Sequence, residues 1–454
     1  MIFPPPGKLT EVSIITSNTK HMRSFFITFL SLVFISNLGA QTEPGAGKWK
    51  TWLISSGKEF RLPAPSGPGD INAVIKAQKN IDDKMKQQIQ YWGAGSPGYR
   101  WTEMISKLWI MDTSYKGMLS NMLVSVGIYD ATIAAWDTKY EFNTKRPYET
   151  DKRVRALVPK PESPSYPCEY SVAAGVATTV ISHFYPFMKD SVMKLASQLM
   201  EARVASGVQF PRDTKDGFEL GKKIAETEIA RTKNFIPETP WDGKMPQEPG
   251  VWKGQKPMFP LAGKAKPMVL ESGSEFRPAP PPDFKKEMEE LKNFKPNFRS
   301  NANAYLHASQ AVLTDILDEK IFEHNLHLNP PRAARIYAMH AIGTYDGFIS
   351  CWDAKYAYWG IRPTQYDSTY KSLIGTPPFP GYPSGHAMLS SVHAELLSYF
   401  FPADQVLFRQ KAKDIAESRF HAGIHFRSDN DVANEMGKQI AAKIIGRLKS
   451  EGIE

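Results

Sequence analysis

The sequence predicts an all-α fold of two tandem antiparallel helical bundles, and three observations lead there. Apolar residues recur at helical spacing, with no alternating strand pattern to compete. Residue n aligns with residue n+216 without a net gap, so the chain reads as a tandem duplication. Long proline-rich loops separate the apolar runs, as they do between the helices of a bundle.

Residues 1–41 stand apart from this plan. Residues 22–40 have a basic start at Arg23, an apolar middle and small residues before Gln41, which is the pattern of a secretory signal peptide. The apolar run is too short to cross a bilayer comfortably, and an uncleaved N-terminal anchor is the alternative. Met22 is a candidate true initiator. The mature chain is therefore expected to be secreted or periplasmic, with no membrane attachment after cleavage.

The net charge of +9 falls to +7 without residues 1–41, and no Lys/Arg run of nucleic-acid type occurs. Nucleic acid is thus not an expected partner. Cys168 and Cys351 are the only cysteines, so the chain is not built on disulfides, and the sequence leaves open whether the two pair.

Residues 42–235 form the first copy and 266–454 the second. Ser56-Gly-Lys-Glu-Phe-Arg61 matches Ser272-Gly-Ser-Glu-Phe-Arg277, and Trp136-Asp-Thr-Lys-Tyr140 matches Trp352-Asp-Ala-Lys-Tyr356. Arg146-Pro147 matches Arg362-Pro363, and Arg203 and Asp213 match Arg419 and Asp429. Between the copies, residues 236–265 are rich in Pro, Gly, Lys and Trp without any period, and read as a connector or a lid.

In the second copy a helix starts at Asn329-Pro-Pro331, with Tyr337, Ala341, Phe348 and Trp352 on one stripe. A second carries His386, Leu389, His393, Leu397 and Phe400. A third runs from Asp404 toward Ser418, and a fourth from Asn430 to Leu448.

The second of these helices opens on Gly381-Tyr-Pro-Ser-Gly-His386. Pro383 fixes the turn, Gly385 lets the backbone approach a ligand closely, and Ser384 can cap the helix. The first helical amides lack internal partners and sit at the positive end of the dipole, so an oxyanion is favoured there. Lys355 and Arg362-Pro363 stand upstream, and Ser418-Arg419, His425 and Asp429 stand downstream. In the first copy, Cys168-Glu169-Tyr170 replaces Ser384-Gly385-His386, and Gln209 replaces His425. Glu169 puts a negative charge where the second copy would hold an anion, so a single site is expected, in the second copy. Lys139, Arg146 and Arg203 are then expected to pair with carboxylates.

These three motifs resemble those of the vanadium-dependent haloperoxidases and the type 2 phosphatidic acid phosphatases, which share one oxyanion site. The resemblance covers mainly the C-terminal half. It implies a haloperoxidase-like helical fold, with vanadate as cofactor and phosphate able to occupy the same site. Lys355, Arg362 and Arg419 would neutralise the anion, although surface salt bridges are the commoner fate of such residues. Ser384 and the Gly385 amide would add hydrogen bonds. His425 would bond to the central atom, as vanadium ligand or as phosphorus nucleophile, and His386 would act as acid and base. Asp429 would orient His425, or lie as a plain helix-surface acid.

The resemblance implies a haloperoxidase that uses vanadate and hydrogen peroxide to oxidise a halide to hypohalous acid equivalents, which then halogenate a small organic acceptor. The alternative is a secreted acid phosphatase of the same superfamily, acting through a phosphohistidine. Trp352 and Phe379 match aromatic positions on the halide side of chloroperoxidase-like members, with core packing as the other account. An oligomer is compatible with either activity.

Overall fold

In a computed structural model the described residues are 42–112, 114, 116–308 and 313–453. The segment read as a signal peptide, Met22 included, lies outside them. Glu43–Glu454 form one compact unit. Among the described residues there is no strand, only an antiparallel bridge between Val251 and Gly360.

The first half contains α1 (Ile71–Lys79), α2 (Asp83–Gly93), α3 (Tyr99–Met111), α4 (Lys116–Phe142), the short α5 (Pro147–Thr150), α6 (Glu169–Phe184), α7 (Lys189–Ala205) and α8 (Pro211–Thr232). The second contains α9 (Lys285–Asn293), α10 (Phe298–Leu306), α11 (Thr314–Glu323), α12 (Pro330–Tyr358), the short α13 (Pro363–Tyr366), α14 (Gly385–Phe400), α15 (Gln405–His421) and α16 (Arg427–Ser450). α6 and α14 begin and end 216 residues apart, as do α7 and α15.

The two halves repeat contacts as well as elements. The buried Asp130 carboxylate accepts the backbone N–H groups of Trp52, Leu53 and Ile54, and Asp346 does the same for Met268, Val269 and Leu270. Arg61 pairs with Asp137 at 2.5 Å, and Arg277 with Asp353 at 2.7 Å. Each carboxylate ties an N-terminal arm to the central helix of its half. Cis peptide bonds precede Pro167 and Pro383.

α4 and α12 pack against each other at the centre, flanked by α6 and α14. One hydrophobic core runs through both halves, with Trp136, Val176, Ile342, Trp352 and Val392 among its members. The halves therefore share a core. The stripe expected on α12 is a minor feature, because this helix is buried on nearly every face. α4 is buried without interruption from Gly117 to Trp136. It is long and apolar enough to cross a membrane, but that stretch is wholly enclosed by the protein. Both cysteines are buried and free, so they do not pair.

Residues 236–265 fold onto the second half. Trp252 N–H donates to the Trp359 carbonyl and Met258 N–H to the Pro378 carbonyl. Phe259 packs against Phe348 and Trp352. This carries the segment to the aromatic wall described below.

Candidate oxyanion site

The ends of five helices converge on one buried site. The last turn of α12 supplies Lys355, and Arg362 caps α13, whose Pro363 needs no amide partner at the first helical position. Ser384 caps α14 and accepts from Ala387 N–H, which leaves Gly385 and His386 at the first exposed amides. Arg419 ends α15, and His425 and Asp429 stand at the start of α16.

Lys355, Arg362 and Arg419 are at most 1% exposed. Lys355 Nζ donates to the carbonyls of Pro380, Gly381 and Pro383 at 2.6–2.9 Å, so the ammonium braces the turn it faces. Arg362 Nε donates to the Phe379 carbonyl, and its Nη1 donates to the Ile424 carbonyl and to His425 Nε2 at 3.0 Å. Arg419 donates to Ser418 Oγ and to the Ala304 carbonyl. Among the described residues no carboxylate lies within ion-pair distance of any of the three.

Burying cations without countercharge is costly, and their titration reflects it. Burial pushes Lys355 down to about 7 and Arg362 and Arg419 down to about 10. Burial, followed by Arg419, lowers His386 to about 3. His425 is driven well below its usual range by burial, then by Arg362, Lys355 and Arg419. Both imidazoles are therefore neutral at physiological pH. Burial raises Asp429 to about 7, against the pull of Arg362 and Lys355.

His425 Nδ1 lies 2.9 Å from Asp429 Oδ2, which also accepts Phe426 N–H. Because Arg362 is donor-only, His425 Nε2 must be an acceptor, and the proton sits on Nδ1 facing Asp429. The carboxylate thus fixes the tautomer that puts the ring electron pair on Nε2, where Arg362 Nη1 engages it, and metal-ligating histidines are oriented in the same way.

Trp352 and Phe379 form the aromatic side, with centroids 5.3 Å apart. Lys355 Nζ lies 5.2 Å from the Phe379 centroid and 5.8 Å from that of Trp352, while Phe348 stacks on Trp352 at 3.7 Å. Met258 of the interhalf segment accepts a hydrogen bond from Trp352 Nε1 and another from the Tyr356 hydroxyl. Sequence reasoning missed this contribution, and that of α10 through Ala304, because neither segment carries a motif. Two histidines near the motifs stay outside the pocket. His393 bonds Thr344 Oγ1 and stacks on His340, and His421 stacks on Phe294.

Comparison with solved structures decides the fold. A bacterial vanadium-dependent iodoperoxidase is similar at TM-score 0.54 and 18% identity, over 85% of this chain and 98% of that one. The chain has the vanadium-dependent haloperoxidase fold. Bacterial vanadium-dependent chloroperoxidases are similar in the apo form, at TM-score 0.57 and 16% identity over 75% and 95% of the two chains. The holo form gives TM-score 0.56 and 15% identity over 85% and 96%. No family model and no curated protein sequence matches the chain.

The pocket fits an oxyanion such as vanadate on its own chemistry. Among the described residues Arg362 Nη2 and His386 Nε2 are buried without a hydrogen-bond partner, although buried polar atoms almost always have one. A Cβ built on Gly385 would meet nothing closer than 3.5 Å, so packing alone does not demand glycine there.

Proposed function

We propose that this chain is a vanadium-dependent haloperoxidase, exported by its N-terminal leader, that uses hydrogen peroxide to oxidise a halide for transfer to a small organic acceptor. The observation that carries this reading is the set of three buried cations with no carboxylate at ion-pair distance among the described residues, together with two buried atoms left without a hydrogen-bond partner, the Arg362 Nη2 donor and His386 Nε2. Bound vanadate would supply the Lewis-acidic centre that makes peroxide reactive toward halide. Lys355, Arg362 and Arg419 would hold it, with the Ser384–Gly385 helix start and His386 adding hydrogen bonds. His425 Nε2 is the metal-ligating atom, kept in its tautomer by Asp429. His386 moves a proton at Nε2 as general acid and base. Trp352 and Phe379 give the halide a poorly solvated wall, which raises its reactivity.

The same Nε2 electron pair would serve a phosphatase as nucleophile, and one preparation tests both. Loaded with orthovanadate, the protein should oxidise chloride, bromide or iodide with peroxide, and vanadate should bind at about one per chain. Hydrolysis of a phosphate monoester by the metal-free protein, with no halide oxidation after loading, would return the site to phosphatase chemistry.

A further inference from the structure

One buried polar group beside this pocket has no role in the motifs. His307 closes the last turn of α10, is 7% exposed, and has a buried Nδ1 with no hydrogen-bond partner among the described residues. A buried orphan calls for a physical account, and the position of this one supplies it.

Its position says what binds. Ala304 lies one turn before His307 in α10, and Ala308 follows it directly. Its two neighbours touch the oxyanion site. The Ala304 carbonyl accepts from Arg419 Nη2 at 3.1 Å, and the Ala308 backbone hydrogen-bonds the His386 ring. His307 therefore stands between Arg419 and His386. The electrostatics agree, since Arg419 acts on His307 and His307 in turn acts on His386.

We propose that His307 is a third histidine of the oxyanion site, donating from its imidazole to an oxygen of the bound tetrahedral anion. The proposal rests on the oxyanion reading of the pocket and adds a residue to it. A neutral imidazole there supplies a donor without adding a fourth charge to a site already holding Lys355, Arg362 and Arg419.

The test is calorimetric titration of the full chain with orthovanadate, and separately with inorganic phosphate, in wild type, His307→Ala, His307→Gln and Arg362→Ala. His307→Ala should bind both anions about 10-fold more weakly, the scale of one hydrogen bond to a charged group. His307→Gln keeps an N–H donor and should recover to within about 3-fold of wild type. If His307→Ala binds like wild type while Arg362→Ala has lost binding, the oxyanion site stands and the role of His307 falls. If His307→Gln is as weak as His307→Ala, the ring serves packing and the proposal is overturned. A wild-type chain that binds neither anion would sink the oxyanion reading itself.

Discussion

The two halves place the same three cations in the same frame and neutralise them differently. In the first, Glu169 lies 2.9 Å from Lys139, 3.5 Å from Arg146 and 3.8 Å from Arg203. Burial works to raise that carboxyl, but Lys139, Arg146 and Arg203 outweigh it and hold Glu169 at about 2. In the second half the aligned residue is Gly385, and among the described residues no carboxylate lies at ion-pair distance from Lys355, Arg362 or Arg419. Lys139 gives one donor to Glu169, whereas Lys355 turns its third toward the Pro383 carbonyl. The first half is thus an internal control. It shows that this constellation is stable with an anion at its centre, and that a built-in carboxylate leaves no place for a dissociable one.

The sharpest way to break the comparison is to move the carboxylate. Gly385→Glu should abolish vanadate binding, by about 1000-fold or more, while raising the melting temperature of the ligand-free protein, because the new side chain repeats the Glu169 pairing. Retained binding would show that the halves differ for another reason. Next in size, His425→Ala removes the proposed ligating atom and should weaken vanadate binding by orders of magnitude. His386→Ala should cost only roughly 1 to 3 kcal/mol of affinity but about 100-fold in turnover. Equal losses of affinity in the two variants would show that these roles are wrongly assigned.

The complementary change acts on stability. Glu169→Gln leaves three buried cations unpaired and should lower unfolding free energy by roughly 3 to 5 kcal/mol in urea titrations at neutral pH. The Glu169 contribution is present above its unfolded value near 4.5 and is lost as pH falls through about 2, so the variant and wild type should converge in strong acid. Smallest is a pH effect confined to the second half. Lys355 falls from 10.5 to about 7 in the free pocket, so its charge is lost as pH rises past 7. An anion restores that proton, and affinity for sulfate, whose own charge is constant there, should decline by about 10-fold or more between pH 7 and 10. A flat profile would mean that Lys355 stays charged without a ligand.

Much of this was legible in the chain because oxyanion binding constrains residue identity. Lys355, Arg362, Arg419, His386 and His425 stand in fixed order around a helix start, and the 216-residue register exposed Glu169 as the countercharge of the other half. What escaped was placement by packing. The cap and stripe of α12 located that helix but not its burial, because a helix enclosed almost all round, as α4 and α12 are, has no single apolar face for periodicity to report. The interhalf segment has no period at all, so its seat against Trp352 and Tyr356 follows from backbone carbonyls, which composition does not reveal. His307 lies outside every motif, and only the fold brings it beside His386.

The room for a Cβ at Gly385 also bears on how an oxyanion site of this kind would be lost. Glycine and glutamate codons can differ by a single base. A Cβ here would meet Trp352 and Cys351 only at ordinary contact distances of 3.5–3.8 Å, and the surrounding cations would attract a carboxylate. One nucleotide change could therefore silence the catalytic half while leaving a better-folded molecule behind. Loss of function at this position would be invisible to any selection that acts on solubility or abundance alone.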